Sequence, residues 1–321
     1  MQRNKAIDLL RGLALLCVII LHTLAYYLNS ALHYVVWDYL QFCVPIFIFC
    51  SSYIFFKKDL LSSHFNSFIY LKKRFIRLLK PYLIFLLSFL PLVYIIEPKK
   101  NSFAYLIGVF TVTGGIDINW LVLLFLQFSL IFIFLRFALT KKHSLWWFFI
   151  FFTTASSIYL FFNRSPLPYR YIMWLPWSVI LVYTYYFSRY ETNKKFLSSV
   201  FFVLSIIYLL CVVWKMVFHG SLTFFNNKYP PNIYYLSYGL AVLTLLYPLA
   251  QKLSQKSSDF GLIFLSKYSY SLFFIHHIVI YLITTQYHQY HAWPWSIFFI
   301  TVLVVSVLTQ GVINYLSARL V

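Results

Sequence analysis

The sequence predicts an all-α polytopic membrane protein, with about ten transmembrane helices in one bundle. Its 321 residues are 62% hydrophobic and 23% aromatic, and only 10% of them are charged. A soluble protein of this length exposes too much surface to water to hide so many apolar side chains. The apolar residues also form separate runs of about the 20 residues that a spanning helix needs. Only helices and closed β-barrels can span a membrane, and these runs lack the two-residue alternation of a barrel strand. The spans are therefore predicted to be helices.

Ten apolar runs are long enough to cross a bilayer, allowing for tilt. They lie at approximately 7–28, 35–56, 78–96, 118–138, 145–162, 170–188, 196–218, 232–250, 268–286 and 295–317. The apolar segment 102–113 is too short for a span, which leaves a re-entrant or an interfacial helix as alternatives. The longest loop, about 57–77, is largely basic and too short to fold alone. We therefore expect a single transmembrane domain over residues 1–321 and no separate soluble domain.

The distribution of basic residues predicts the orientation. If the amino terminus is cytoplasmic, 20 of the 26 Lys and Arg residues fall on the cytoplasmic side. This bias follows the positive-inside rule and predicts that both termini are cytoplasmic. The net charge of +19 is divided among short clusters between apolar runs, so we expect no nucleic-acid partner. The four cysteines lie inside apolar runs without metal-ligand spacing and are predicted to be buried thiols.

The first span carries three polar side chains on nearly one face, Asp8, Arg11 and His22. The eleven residues from Arg11 to His22 correspond to about three turns, which places both side chains on one face about 16 Å apart. If Arg11 lies at a water boundary, His22 lies near the middle of the membrane. Asp8, one turn before Arg11, is expected to pair with it.

A second basic group begins the third span. Arg74 and Arg77 are three residues apart, so they project together from a helix entering the membrane. One interpretation is a positive-inside anchor. The other is a phosphate clamp, because the planar guanidinium matches phosphate oxygens.

The ninth span contains adjacent histidines, His276 and His277, again near mid-depth. An ionisable side chain inside a span indicates a functional site, whereas the structural alternative is a neutral histidine hydrogen-bonded between helices. Of the two, we favour His276 as the residue that lines a site. His288 and His291 have no nearby carboxylate, and we expect no metal site there.

Together these segments resemble the acyltransferase-3 family of integral membrane acyltransferases over nearly the whole chain. The matching elements, in order, are Arg-x10-His in the first span, a segment ending Ser52-Tyr53 where the family has Gly before Tyr, Arg-x-x-Arg before Pro81, and Ser269-Tyr270 followed by His276. A weaker match is Asn119-Trp120-Leu121, which lacks the histidine usual at that place.

The resemblance implies transfer of an acyl group, usually acetyl, from cytoplasmic acyl-CoA to a hydroxyl of an extracytoplasmic or membrane-linked saccharide. It implies the inner (plasma) membrane, acyl-CoA (acetyl-CoA) as co-substrate, and no metal. We expect His22 to be the general base or a transient acyl carrier, with Asp8 and His276 as further catalytic residues. Arg11, Arg74 and Arg77 are expected to bind the CoA phosphates. The oligomeric state stays open.

Two other functions fit the same features. A bundle with buried His and Arg is also typical of a proton-coupled transporter of a glycan or lipid-linked sugar, although the paired halves common in carriers are not visible here. The third alternative is a non-catalytic membrane partner of a polysaccharide synthase. Release of free thiol from acetyl-CoA would distinguish the enzyme from both.

Overall fold

The computed structural model describes residues 4–60, 62, 65–98, 102–255 and 261–319, leaving out the side chain of His288. Within these ranges the chain is helical and forms no β-strand, which confirms the all-α prediction. Eight helical stretches here are long and apolar enough to cross a membrane: Lys5–Leu24, Ala31–Asp59, Ser67–Ile96, Asn119–Thr140, His143–Phe162, Lys194–Val217, Ile233–Ser254 and Trp295–Arg319. The protein is therefore a multi-pass membrane protein.

The α-helices are, in chain order, α1 Lys5–Leu24, α2 Ala31–Tyr39, α3 Cys43–Ile54, α4 Ser67–Ile96, α5 Phe103–Phe110, α6 Asn119–Thr140, α7 His143–Phe162, α8 Tyr169–Ile172, α9 Trp174–Trp177, α10 Val179–Tyr190, α11 Lys194–Val217, α12 Ile233–Ser254, α13 Leu262–Lys267, α14 Ser269–Gln286 and α15 Trp295–Arg319. A 3-10 turn, Leu40–Phe42, joins α2 to α3, and a π-helical turn, Phe55–Asp59, extends α3. Two further 3-10 turns are Phe225–Asn227 and His288–Ala292.

Two predicted spans are absent from the eight spanning stretches. The run 170–188 is divided among α8, α9 and α10, because Pro176 has no amide hydrogen to donate to Ile172, where α8 ends. The run 268–286 corresponds to the 18-residue helix α14, which is not among those eight. The count of ten spans therefore stays a prediction, as does the cytoplasmic location of both termini. The eight-residue α5 is too short to cross a bilayer.

The first span and the first long loop are both shorter than predicted. Helix α1 ends at Leu24, four residues before the end of the apolar run, and Tyr27 turns away to donate its hydroxyl to the carbonyl of Tyr290 at 2.8 Å. Much of the predicted loop 57–77 is helical, because the π turn reaches Asp59 and α4 begins at Ser67.

The described residues fall into two compact units. The first comprises Pro45–Lys80 and Lys99–Leu246, and the second comprises Gln2–Val44, Pro81–Pro98 and Tyr247–Val321. In the first unit, α7 packs against α6, α9 and α10. In the second unit, α1 packs against α2, α13, α14 and α15. All four cysteines are buried and none of them forms a disulfide in the described chain, as predicted.

Candidate active site

The amino-terminal half of α1 is held tightly against α13 in the second unit. Asn4 caps α1 by accepting hydrogen bonds from the amides of Ala6 and Ile7. Gly12 lies where α1 comes closest to α13, because a Cβ added there would be 2.1 Å from the carbonyl oxygen of Leu262. Only a glycine permits this approach without a shift of backbone. The close packing of α1 on α13 therefore explains the glycine at position 12, directly after Arg11.

Asp8 points to α13 and not to Arg11. Its carboxylate is 7% exposed and accepts a hydrogen bond from the hydroxyl of Ser266 at 3.2 Å. Arg11, which is half-buried, makes no hydrogen bond or ion pair with any described residue. The expected Asp8–Arg11 pair is therefore wrong, because the buried carboxylate is turned toward α13.

His22 lies in the last turn of α1, two residues before the helix ends. The predicted span continued to residue 28, so His22 is closer to the end of its helix than the apolar run indicated, and its depth in the membrane stays a prediction. The last carbonyls of α1 are used in the turn that follows, because those of Leu21, Thr23 and Leu24 accept hydrogen bonds from the amides of Ala25, Tyr26 and Tyr27.

His22 and His276 form a hydrogen-bonded pair, although 254 positions separate them along the chain. Nδ1 of His22 lies 2.8 Å from Nε2 of His276. The rings are nearly parallel, with centroids 5.0 Å apart, and Phe273 packs beside both. His276 is fully buried (0% exposed), whereas His22 is half-buried. The sequence selected both residues but could not show that they touch.

The hydrogen-bond network assigns the protons of this pair. Nδ1 of His276 lies 2.9 Å from the carbonyl oxygen of Leu272, which can only accept, so this nitrogen carries the hydrogen. In neutral His276, Nε2 is then the acceptor, and Nδ1 of His22 must be the donor. It follows that Nε2 of neutral His22 carries the lone pair. The pair thus prepares one specific nitrogen of His22 as a base or nucleophile.

His277 has different surroundings from His276. Its ring packs among aromatic side chains of α4, with centroids 6.1 Å from Phe85 and 5.5 Å from Phe89. It makes no hydrogen bond to another residue in the described part of the chain. Of the two adjacent histidines, His276 is the one that contacts His22.

The two arginines of α4 also differ. In the first unit, Arg74 donates to the hydroxyls of Ser129 at 2.9 Å and Ser51 at 2.8 Å, and its guanidinium lies over the ring of Phe132. Arg74 therefore links α4 to α3 and α6 through two of its five N–H donors, whereas Arg77 is exposed.

Two positions that depart from the family pattern have structural roles in the first unit. Ser52 is fully buried and donates to the carbonyl of Ile48 at 2.6 Å, close to Thr184 of α10. Asn119 accepts a hydrogen bond from Arg170 and donates to the carbonyl of Gly114 at 2.7 Å. Asn119 thus holds the turn before α6.

Sequence reasoning missed Ser266 and the carbonyl of Leu272, which orient Asp8 and His276. Neither had a signal in the sequence, since a single serine in a short helix has no recognisable pattern and every residue has a carbonyl group.

A protein-family model described as an acyltransferase domain (Acyl_transf_3) matches residues 4–311. No curated protein and no solved structure matches the chain. The matched region contains α1, α4 and α14, which carry the histidine pair and the candidate arginines. The chain therefore belongs to the acyltransferase-3 family and is a multi-pass membrane acyltransferase.

Proposed function

We propose that this protein transfers an acetyl group from cytoplasmic acetyl-CoA to a hydroxyl of an extracytoplasmic or membrane-linked saccharide. His22 acts as the general base or as a transient acyl carrier. The observation that carries this proposal is the His22–His276 hydrogen bond with its assigned protons. A sugar hydroxyl is a weak nucleophile at neutral pH, so a positioned base contributes a typical 10²- to 10⁴-fold.

In direct transfer, Nε2 of His22 removes the proton from the acceptor hydroxyl as its oxygen attacks the thioester carbonyl. The C–S bond then breaks, and the imidazolium returns the proton to the departing thiolate of CoA. In the two-step route, Nε2 itself attacks the thioester carbonyl, the C–S bond breaks and CoA leaves as a thiolate, forming an acyl-imidazolium that keeps Nδ1–H. The oxygen of the acceptor hydroxyl then attacks this acyl group and the C–N bond breaks, which regenerates neutral His22, while the hydroxyl proton passes to the CoA thiolate.

His276 serves both routes as a positioning residue. It holds Nδ1–H of His22, which keeps the lone pair on Nε2. It also stabilises the positive charge that His22 acquires, as the carboxylate does in a Ser-His-Asp triad, but without a charge of its own. Asp8, hydrogen-bonded to Ser266, supports α1 and takes no proton in this scheme.

The binding site for acetyl-CoA, the acyl donor, is proposed from the charges of the CoA phosphates and of three arginines. CoA carries several negative charges on its phosphates, and guanidinium groups bind phosphate oxygens with paired donors. Arg11 is on the same helix as His22, about 16 Å away along the axis, and has no partner in the described chain. Arg77 is exposed, and Arg74 donates to the hydroxyls of Ser129 and Ser51 among the described residues. We propose that each contributes to acetyl-CoA binding.

The test of the chemistry follows free thiol from acetyl-CoA with purified protein. Cell-wall glycan, capsule polysaccharide and lipopolysaccharide are supplied separately as acceptors. We expect acceptor-dependent thiol release that falls at least 100-fold in His22→Ala and is unchanged in His143→Ala, an exposed histidine at the start of α7. Release at background level with every acceptor, or equal release from His22→Ala, would refute the proposal. Labelled acetyl-enzyme trapped without acceptor would identify the two-step route.

The donor site is tested by acetyl-CoA titration of arginine variants. We expect Arg11→Ala and Arg77→Ala to raise KM for acetyl-CoA about tenfold, the loss of one charge-assisted contact, with a smaller change in kcat. Arg164→Ala, at an exposed arginine between α7 and α8, is the control. If the Arg11 and Arg77 variants keep the wild-type KM, these residues do not bind the donor.

A further inference from the structure

A long apolar groove runs between α6, α7 and α9 in the first unit. Its volume is about 530 Å³, and the side chains that line it include Leu130, Phe134, Leu145, Phe148, Phe152 and Leu175. If a methylene group takes about the volume of a liquid water molecule, roughly 30 Å³, the groove accommodates on the order of 18 methylenes. It offers room for one lipid chain, and its lining of aliphatic and aromatic side chains is poorly suited to a sugar or a nucleotide.

The groove is open along a face that belongs to the bilayer. Leu130, Phe148 and Phe152 on its rim are each more than half exposed. Their helices α6 and α7 are both long and apolar enough to span a membrane. The groove is therefore accessible to hydrocarbon chains and not to water-soluble ligands.

A pair of lysines lies beyond one end of the groove. Lys141 and Lys142 form the turn between α6 and α7, and both are exposed. In the described chain neither ammonium group contacts a carboxylate. Leu145, which lines the groove, is only three residues after Lys142, about 5 Å along the helix. A phosphate bound by this pair would therefore lie where a chain leaves the groove.

We propose that this groove and Lys141–Lys142 together bind an anionic phospholipid of the bilayer, with one acyl chain in the groove and the phosphate at the lysines. Basic residues at membrane helix ends attract anionic headgroups, each contributing a short-range favourable interaction. The distribution of basic residues predicts that this turn is cytoplasmic, opposite the proposed glycan acceptor, which favours a bilayer phospholipid over a lipid-linked acceptor. This choice between the two lipids rests on the proposed function, whereas lipid binding itself is measured without the transfer reaction.

The experiment titrates the full-length protein in detergent with dipalmitoyl phosphatidylglycerol and counts bound lipids by native mass spectrometry. Dipalmitoyl phosphatidylcholine is titrated in parallel. We expect saturable binding of phosphatidylglycerol, about tenfold weaker in Lys141→Ala/Lys142→Ala. Lys194→Ala/Lys195→Ala, at the exposed start of α11, is the matched control and should bind as wild type does.

A second variant tests the groove by itself. Leu130→Trp adds bulk to an exposed rim position and is expected to reduce phosphatidylglycerol binding, whereas Leu210→Trp, 66% exposed on α11, should not. The proposal is overturned if phosphatidylcholine binds equally, if both test variants bind like wild type, or if a polyprenyl phosphate displaces phosphatidylglycerol at equal concentration.

Discussion

At the scale of single residues, the proposed mechanism gives a neutral His276 the place that a carboxylate holds in many catalytic triads. A charge at that position would be costly, because the side chain is fully buried among apolar residues. A neutral imidazole accepts the proton of His22 Nδ1 at a smaller cost. Its own proton is used by the carbonyl of Leu272, so only one orientation of the pair satisfies both hydrogen bonds.

Substitution of His276 tests this role. In His276→Leu the acceptor is lost, and we expect kcat for acetyl transfer to fall about 100-fold while KM for acetyl-CoA is unchanged. His276→Gln should recover part of the rate, because its side-chain oxygen can reach the place of Nε2. If both variants lose the same activity, or if the loss appears in KM, His276 does not act by orienting His22.

Asp8 is expected to be structural. Asp8→Asn keeps an oxygen for the hydroxyl of Ser266, so we expect it to retain most transfer activity. Asp8→Ala leaves that buried hydroxyl without its acceptor and should lower the free energy of unfolding by about 1–3 kcal/mol. Transfer assays and thermal unfolding in detergent measure the two effects. A 100-fold loss of activity in a stable Asp8→Asn protein would instead make Asp8 part of the chemistry.

At the scale of the elements, the close packing of α1 on α13 holds the helix that carries the proposed base, His22. Gly12 permits this contact, and Asp8 and Ser266 hydrogen-bond beside it. Since His22 is on the same helix, a shift of α1 along or away from α13 would also move His22. The position of the base is therefore coupled to a packing contact about 15 Å away along the helix.

Gly12→Ala tests this coupling. The added Cβ would meet the carbonyl oxygen of Leu262 at 2.1 Å, so we expect a loss of about 1–3 kcal/mol of stability from overpacking, together with reduced kcat. Gly311→Ala is the control, because no atom lies within 4 Å of its added Cβ. That variant should be neutral or slightly stabilising, since alanine favours the helix. Equal melting temperatures for the two variants would contradict this account.

At the scale of the whole molecule, the distribution of charge makes a prediction about topology. The positive-inside bias places the α6–α7 turn in the cytoplasm and the α7–α8 loop outside. The native cysteines are buried, so background labelling should be low. In intact cells, a membrane-impermeant maleimide should label Arg164→Cys and not Lys142→Cys. The reverse pattern would invert the orientation and move the proposed donor site to the outside.

The limits of sequence-based prediction are visible at particular places. The broken segment 169–190 contains Pro176, a helix-breaking residue in the sequence. The prediction of one continuous span there was based on hydropathy, which does not take this proline into account. The end of α1 at Leu24 had no such signal, because Tyr27 leaves the helix to contact Tyr290, which is 263 positions away. The Asp8–Arg11 pair was wrong for the same reason: spacing along one helix could not reveal that a serine of α13 would bind the carboxylate.

The amino-acid sequence by itself determined the membrane location, the helical class and the identity of the candidate histidines and arginines, because hydropathy and motif spacing are local properties of a chain. Only the tertiary structure decided which side chains meet. In the structure His22 is hydrogen-bonded to His276, and Asp8 accepts a hydrogen bond from Ser266. Arg74 donates to Ser129, whereas Arg77 is exposed. These pairings depend on contacts between residues far apart in the chain, and no local pattern encodes such contacts.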